Sequence, residues 1–165
     1  MPRASSLDRT SRPEDPQASL GRALEFLQRL WRVDHAMQRV SNRMSRDLGL
    51  TGPQRLVIRA VGKRPWLTAS ALAAMLHLDR GTISAALNRL ERKALIGRRS
   101  DPLDGRIVMV GLTAKGRRLD RPTEHTIEAA VEQLLRRIPA SDRKAAERVL
   151  TALADALERT AERQA

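Results

Sequence analysis

Apolar residues recur at helical spacing along most of this chain and alternate over one short stretch. The first pattern runs through Leu20, Leu24, Leu27, Leu30, Trp31, Met37, Val40, Met44 and Leu48, one stripe of a long helix. Ser19 suits its N-cap and Gly49 its C-terminal stop. Such a helix of about 29 residues would reach about 43 Å, longer than a small domain needs internally, so a partner subunit is expected along it. Asp34 and His35 interrupt the stripe near its middle. A short helix is predicted from Pro53 to about Val61, with Pro in the first turn where its missing N–H costs nothing. Gly62-Lys-Arg-Pro65 breaks it, and Thr68 caps a second short helix, Ala69 to Leu76. His77 and Leu78 make the turn into a third, capped by Asp79.

The third helix carries Ile83, Leu87 and Leu90 at i, i+4, i+7, and these should face the core. Its opposite face has Gly81, Ala85, Asn88 and Arg92, flanked by Thr82, Ser84 and Arg89. Small residues come first, hydrogen-bonding side chains next and cations last. That order suits a helix entering the major groove of DNA, where the backbone must approach the bases and charge must meet phosphate. After it come Arg98 and Arg99, the turn-forming Asp101-Pro-Leu-Asp-Gly105, and an alternating strand from Ile107 to Leu112. Two short helices with a tight turn, then strand, turn and strand, predict a winged helix-turn-helix.

Beyond the wing, Thr113 caps a further helix whose pattern resumes in Ile127, Ala130, Val131, Leu134, Leu135 and Ile138, with Pro122 expected to kink or split it. Pro139 ends that stretch, and Ser141 is expected to cap a last helix with Ala145, Val149, Ala152, Leu153, Ala156 and Leu157 on one face. The fold class expected is mainly α with a small β-hairpin wing. Residues 1–18, rich in Pro, Ser and mixed charge, read as a disordered tail. Residues 51–112 read as the winged helix-turn-helix domain, and 19–50 with 113–165 as a helical dimerisation region.

Charge sharpens this picture. The formal net charge is +12, which favours an anionic partner. Residues 51–118 hold 14 Lys and Arg against 4 Asp and Glu, whereas 119–165 hold 8 against 9. The excess therefore sits on the segment with the third helix and the wing. There is no cysteine, so disulfides and thiolate chemistry are excluded. No apolar run approaches the roughly 18 residues needed to cross a bilayer and no signal-peptide core precedes the helices, so a cytoplasmic location is expected.

The residues from Leu50-Thr-Gly-Pro-Gln54 through Leu78-Asp-Arg-Gly-Thr-Ile-Ser84, Leu87-Asn-Arg-Leu-Glu91 and Ala94-Leu-Ile-Gly-Arg98 resemble the MarR-type winged-helix regulators. The wing, Asp101-Pro-Leu-Asp-Gly-Arg106, followed by Val110-Gly-Leu-Thr-Ala-Lys-Gly116, is the most specific part of the likeness, which covers residues 49–118. The resemblance implies a homodimer on a pseudopalindromic site, with paired helices in successive major grooves and wings in the flanking minor grooves. It further implies modulation by a small molecule bound near the dimer helices. Arg106 would be the wing-tip arginine in the minor groove, and Asp104 the carboxylate that orients it. Many members carry another arginine where this chain has Gly105, which implies fewer wing contacts.

Direct base reading is expected from Thr82, Ser84, Ala85, Asn88 and Arg89, since Asn suits adenine, Arg suits guanine and Ala can touch a thymine methyl. Arg80, Arg92, Lys63 and Arg64 are expected to hold phosphates, with Arg99 joining this basic set from the wing. For an effector, an aromatic or amphipathic anion, the candidates are Trp31, His35, Gln38 and Arg59, the last as an anion anchor. His35, His77 and His125 stand singly without metal-ligand spacing, and no nucleophile elbow or phosphate loop is present. Neither an enzyme nor a metal or cofactor site is expected. The charge alone would also permit a nonspecific architectural DNA-binding protein.

Overall fold

The structure, a computed structural model, describes residues 21–163. The tail expected over 1–18 and the cap at Ser19 lie outside the described residues. Among the described residues the order is α1 (Arg22–Asp47), α2 (Gly52–Lys63), β1 (Leu67–Thr68), α3 (Ala69–Leu76), α4 (Arg80–Arg92), β2 (Ile96–Ser100), β3 (Val108–Leu112), α5 (Ala114–Leu119), α6 (Ile127–Arg137) and α7 (Ala140–Glu162). The chain up to Ala36 forms one unit and everything from Met37 another. The boundary falls within α1, and α2 and all later elements belong to the second.

α1 stops before Gly49, which takes a left-handed φ of +67°, a conformation glycine adopts without penalty. Ser41, late in α1, accepts a hydrogen bond from the backbone N–H of Gly52 at 2.8 Å, which ties the end of α1 to the start of α2. At the start of α2 the N–H of its N-cap residue, Thr51, donates to the Gln54 side chain at 3.4 Å. Val57, Ile58 and Val61 of α2 meet Leu72 of α3 and Ile83, Leu87 and Leu90 of α4 in one core, closed by Leu95, Ile96 and Val110 from the wing. Each such aliphatic side chain removed from water contributes roughly 1.5–3 kcal/mol. This core fixes the orientation of α4 and leaves its other side uncovered.

Three N-caps follow the residue types expected of them. Thr68 accepts from the Ala71 N–H, Asp79 from the Thr82 N–H and Thr113 from the Gly116 N–H. The wing sheet has a strand the pattern did not announce: the order is β1-β3-β2, all antiparallel, with Leu67 opposite Val110 and Val110 opposite Arg98. A two-residue strand is too short to show alternation, so only its partner defines it.

The stretch after the wing is split, as Pro122 leads one to expect: α5 ends at Leu119, and α6 begins after Thr126, whose hydroxyl accepts from the Ala129 N–H. The last helix departs from expectation at its start. Pro139, in extended conformation, occupies the N-cap position, and Ser141 lies inside the first turn, where its hydroxyl donates to Asp142 at 3.2 Å. No residue of α6 or α7 is buried. Val131, Leu134, Leu135, Val149, Leu150 and Leu157 are exposed apolar side chains on these two helices.

α2 is joined to the α5–α6 segment by a buried arginine. Arg55, 1% exposed, donates through Nε to Glu128 at 2.6 Å and through Nη2 to the Arg121 carbonyl at 2.6 Å and Thr123 Oγ1 at 3.2 Å. Its Nη1 donates to the Leu119 carbonyl. A buried guanidinium is tolerated when its donors are satisfied in this way. One turn later Arg59 pairs with Asp120, donating to its carboxylate at 2.6 Å and also to its carbonyl.

Candidate nucleic-acid interface

α4 divides cleanly into two faces. Ile83, Ala86, Leu87 and Leu90 are buried, whereas Arg80, Gly81, Thr82, Ser84, Ala85, Asn88, Arg89 and Arg92 are exposed. The polar face is therefore open to solvent and to a partner. At its N-terminus Asp79 accepts from the Thr82 N–H at 2.7 Å and from the Thr82 hydroxyl. Those bonds, the hydroxyl's first, hold the Asp79 carboxyl below its ordinary 3.8, because accepted hydrogen bonds favour the ionised form. The Thr82 hydroxyl thus donates within the cap and keeps only acceptor capacity for a base.

The wing turn is built from its own side chains. The Leu103 N–H donates to Asp101 Oδ1 at 2.7 Å, and the Asp101 and Ile107 N–H groups donate to the carbonyls of Ile107 and Asp104. Asp104 Oδ1 accepts both the backbone N–H of Arg106 at 3.0 Å and its Nε at 3.2 Å. The Arg106 side chain remains 93% exposed. The loop therefore presents one guanidinium to solvent on a base fixed by a carboxylate. Lys63 and Arg64, at the end of α2, are exposed as well.

Two arrangements at the wing were not foreseen. Arg99 stacks on Trp66, its guanidinium carbon 3.5 Å from the ring centroid. Trp66 has a left-handed φ of +64°, and its ring lies across Gly111, where a Cβ would fall 2.7 Å from the ring carbons. An isolated glycine in an alternating strand was the available signal, since it marks close approach of another group. Arg98, one residue earlier, bridges back to α4, donating to Asn88 Oδ1 at 2.8 Å and Glu91 Oε2 at 3.1 Å. Glu91 and Asn88 stand three apart on α4, which places them side by side.

The effector candidates fall in different places. Trp31 is 66% exposed and His35 is exposed, both in the first unit, and Gln38 is exposed in the second. Arg59, expected as a free anion anchor, is instead paired with Asp120. Among the described residues no cluster of His, Asp and Glu could hold a metal ion, and no helix is long and apolar enough to cross a membrane.

Helix-turn-helix, uncovered polar α4 and antiparallel wing define a winged helix-turn-helix protein. Comparison with known proteins agrees. The family model described as MarR family matches residues 48–107. The transcriptional regulator TtmR of Methylorubrum extorquens is 36% identical over 118 residues, which cover 72% of this chain; the chain spans only 58% of that protein's length. Among solved structures, PcaV of Streptomyces coelicolor, determined with its natural ligand, superimposes with a TM-score of 0.68 at 27% identity, covering 85% of this chain and 99% of that one. FabT of Streptococcus pneumoniae, determined in complex with DNA, gives a TM-score of 0.59 at 30% identity, covering 83% and 96%. The chain belongs to the MarR family.

Proposed function

We propose that this chain is a sequence-specific double-stranded-DNA-binding transcriptional repressor that acts as a homodimer on a pseudopalindromic operator. One observation carries the reading: the polar face of α4 is wholly exposed beside a wing whose Arg106 is 93% exposed and held by Asp104. α4 enters the major groove, where Ser84, Ala85, Asn88 and Arg89 meet base edges and Thr82 offers an acceptor. Arg80, Arg92, Lys63, Arg64 and Arg99 hold phosphates and set register. Arg106 enters the minor groove, where a narrow A·T-rich stretch concentrates negative potential. The likeness to FabT, solved with DNA, supports this use of the fold.

The dimer rests on the exposed apolar side chains of α6 and α7, which a single chain leaves in water. A twofold pair would place its α4 helices in grooves about 34 Å apart, one turn of DNA. An aromatic or amphipathic anionic effector is the finer part of the proposal. PcaV, solved with its natural ligand, supports ligand control in a similar protein. Arg59 can anchor such an anion only by giving up Asp120.

Competition binding tests the proposal. The purified chain should prefer DNA from upstream of its own gene over random duplex by a factor of at least about 10³. Equal binding to both would identify a nonspecific architectural protein instead.

A further inference from the structure

We propose that Arg98 determines what Asn88 reads: by holding the Asn88 carbonyl oxygen toward the wing, it turns the amide nitrogen to the groove and selects a keto base over adenine. The proposal rests on the DNA-binding reading above and deepens it. Arg98 lies in β2 opposite Val110, a core residue, so its side chain shares the sheet face that α4 packs against. From there it donates to Asn88 Oδ1 at 2.8 Å and to Glu91 Oε2 at 3.1 Å.

The orientation of the amide follows from chemistry. A guanidinium only donates, so the Asn88 atom that meets it must be the oxygen. Glu91 takes the Nε–H of the same guanidinium while Asn88 takes Nη2, and the planar fork then locates both partners on one helix face. Asn88 is exposed, and its Nδ2 is the branch without a partner inside the wing contact.

Reading adenine bidentately requires an asparagine to accept from N6 with its oxygen while donating to N7 with its nitrogen. An oxygen already drawn to Arg98 is poorly placed for the first bond. A donor pair facing the groove instead suits guanine, which offers O6 and N7, or thymine, which offers O4. Cytosine offers a donor and is disfavoured. Arg98 is thus a positioning residue that acts through Asn88, and the wing strand takes part in base selection without touching a base.

Selection of bound duplexes from a random pool, with the full chain, tests this. The base step read by Asn88 is the one whose preference Asn88→Ala abolishes. The wild-type protein should enrich a keto base there. Arg98→Met should shift that step toward adenine, or to no preference, changing the ratio by about tenfold or more, while the other steps keep their bases. Glu91→Ala should shift it the same way by a smaller factor, and carries the test if Arg98→Met does not fold. Wild-type enrichment of adenine at that step, an unchanged motif in both variants, or no step lost in Asn88→Ala would each overturn the proposal while leaving the regulator reading intact. A wild-type protein that enriches no motif at all would overturn both.

Discussion

Arg99 lies flat over Trp66, 3.5 Å from guanidinium carbon to ring centroid, and Gly111 beneath the ring leaves the space that lets it lie there. The stack fixes a phosphate-seeking cation one residue pair before the wing turn. Gly111→Ala should lift the ring and release Arg99. An exposed cation–π contact is worth about 0.5–1 kcal/mol, so DNA affinity should fall two- to fivefold. Trp66 emission, followed in a Trp31→Phe background, should shift in step. Unchanged emission together with unchanged affinity would show that the stack does not hold Arg99.

The wing tip and the α4 face should fail differently. Arg106→Ala should weaken binding most on A·T-rich flanks and reduce the salt-dependence slope by about 1. Asn88→Ala should instead relax preference at one base step by ~1–3 kcal/mol with little change in slope. Titrations over a series of salt concentrations separate the two. Because Asp104 orients Arg106 from below at 3.2 Å, Asp104→Ala should reproduce part of the Arg106 loss.

Arg55 is the stability counterpart. Its removal strips the Leu119 and Arg121 carbonyls and Glu128 of their donor. Breaking a fully buried ion pair costs about 3–5 kcal/mol, and the lower end applies here because Glu128 is 30% exposed. Urea unfolding of Arg55→Ala should show that loss. A midpoint like that of the wild type would mean the α5–α6 segment is not held by this contact.

What could be read ahead of the structure was local. Thr68, Asp79 and Thr113 cap the helices they precede because each donor lies three residues away. The division of α4 into a core face and an open face follows from 100° per residue. What could not be read depends on distant partners. Arg55 sits in an amphipathic helix, where it would pass for a surface cation, and only Glu128, 73 positions on, explains its burial. Arg59 passed for a free anion anchor for the same reason. Asn88 was read alone because its ligand Arg98 belongs to another element. Ser141 lost its capping place to Pro139, since both residue types suit a helix start and the pattern could not choose between them.

The Asp79 cap makes α4 sensitive to acid. Its carboxyl titrates below 3.8 in the folded chain. Folding therefore gains from the ionised cap above that ordinary value and loses the gain as pH falls through the lowered one. Asp79→Ala should melt lower than the wild type at pH 7, and the gap should narrow well below pH 3.8. A gap that is constant with pH would remove the charge from the cap's contribution.

The most direct test of the whole account is a hydroxyl-radical footprint on a duplex recovered by selection. Two protected half-sites centred about 10 base pairs apart or a multiple of it, with flanking minor-groove protection that disappears in Arg106→Ala, are the predicted result. Even protection along the duplex, unaltered by Arg106→Ala, would contradict it.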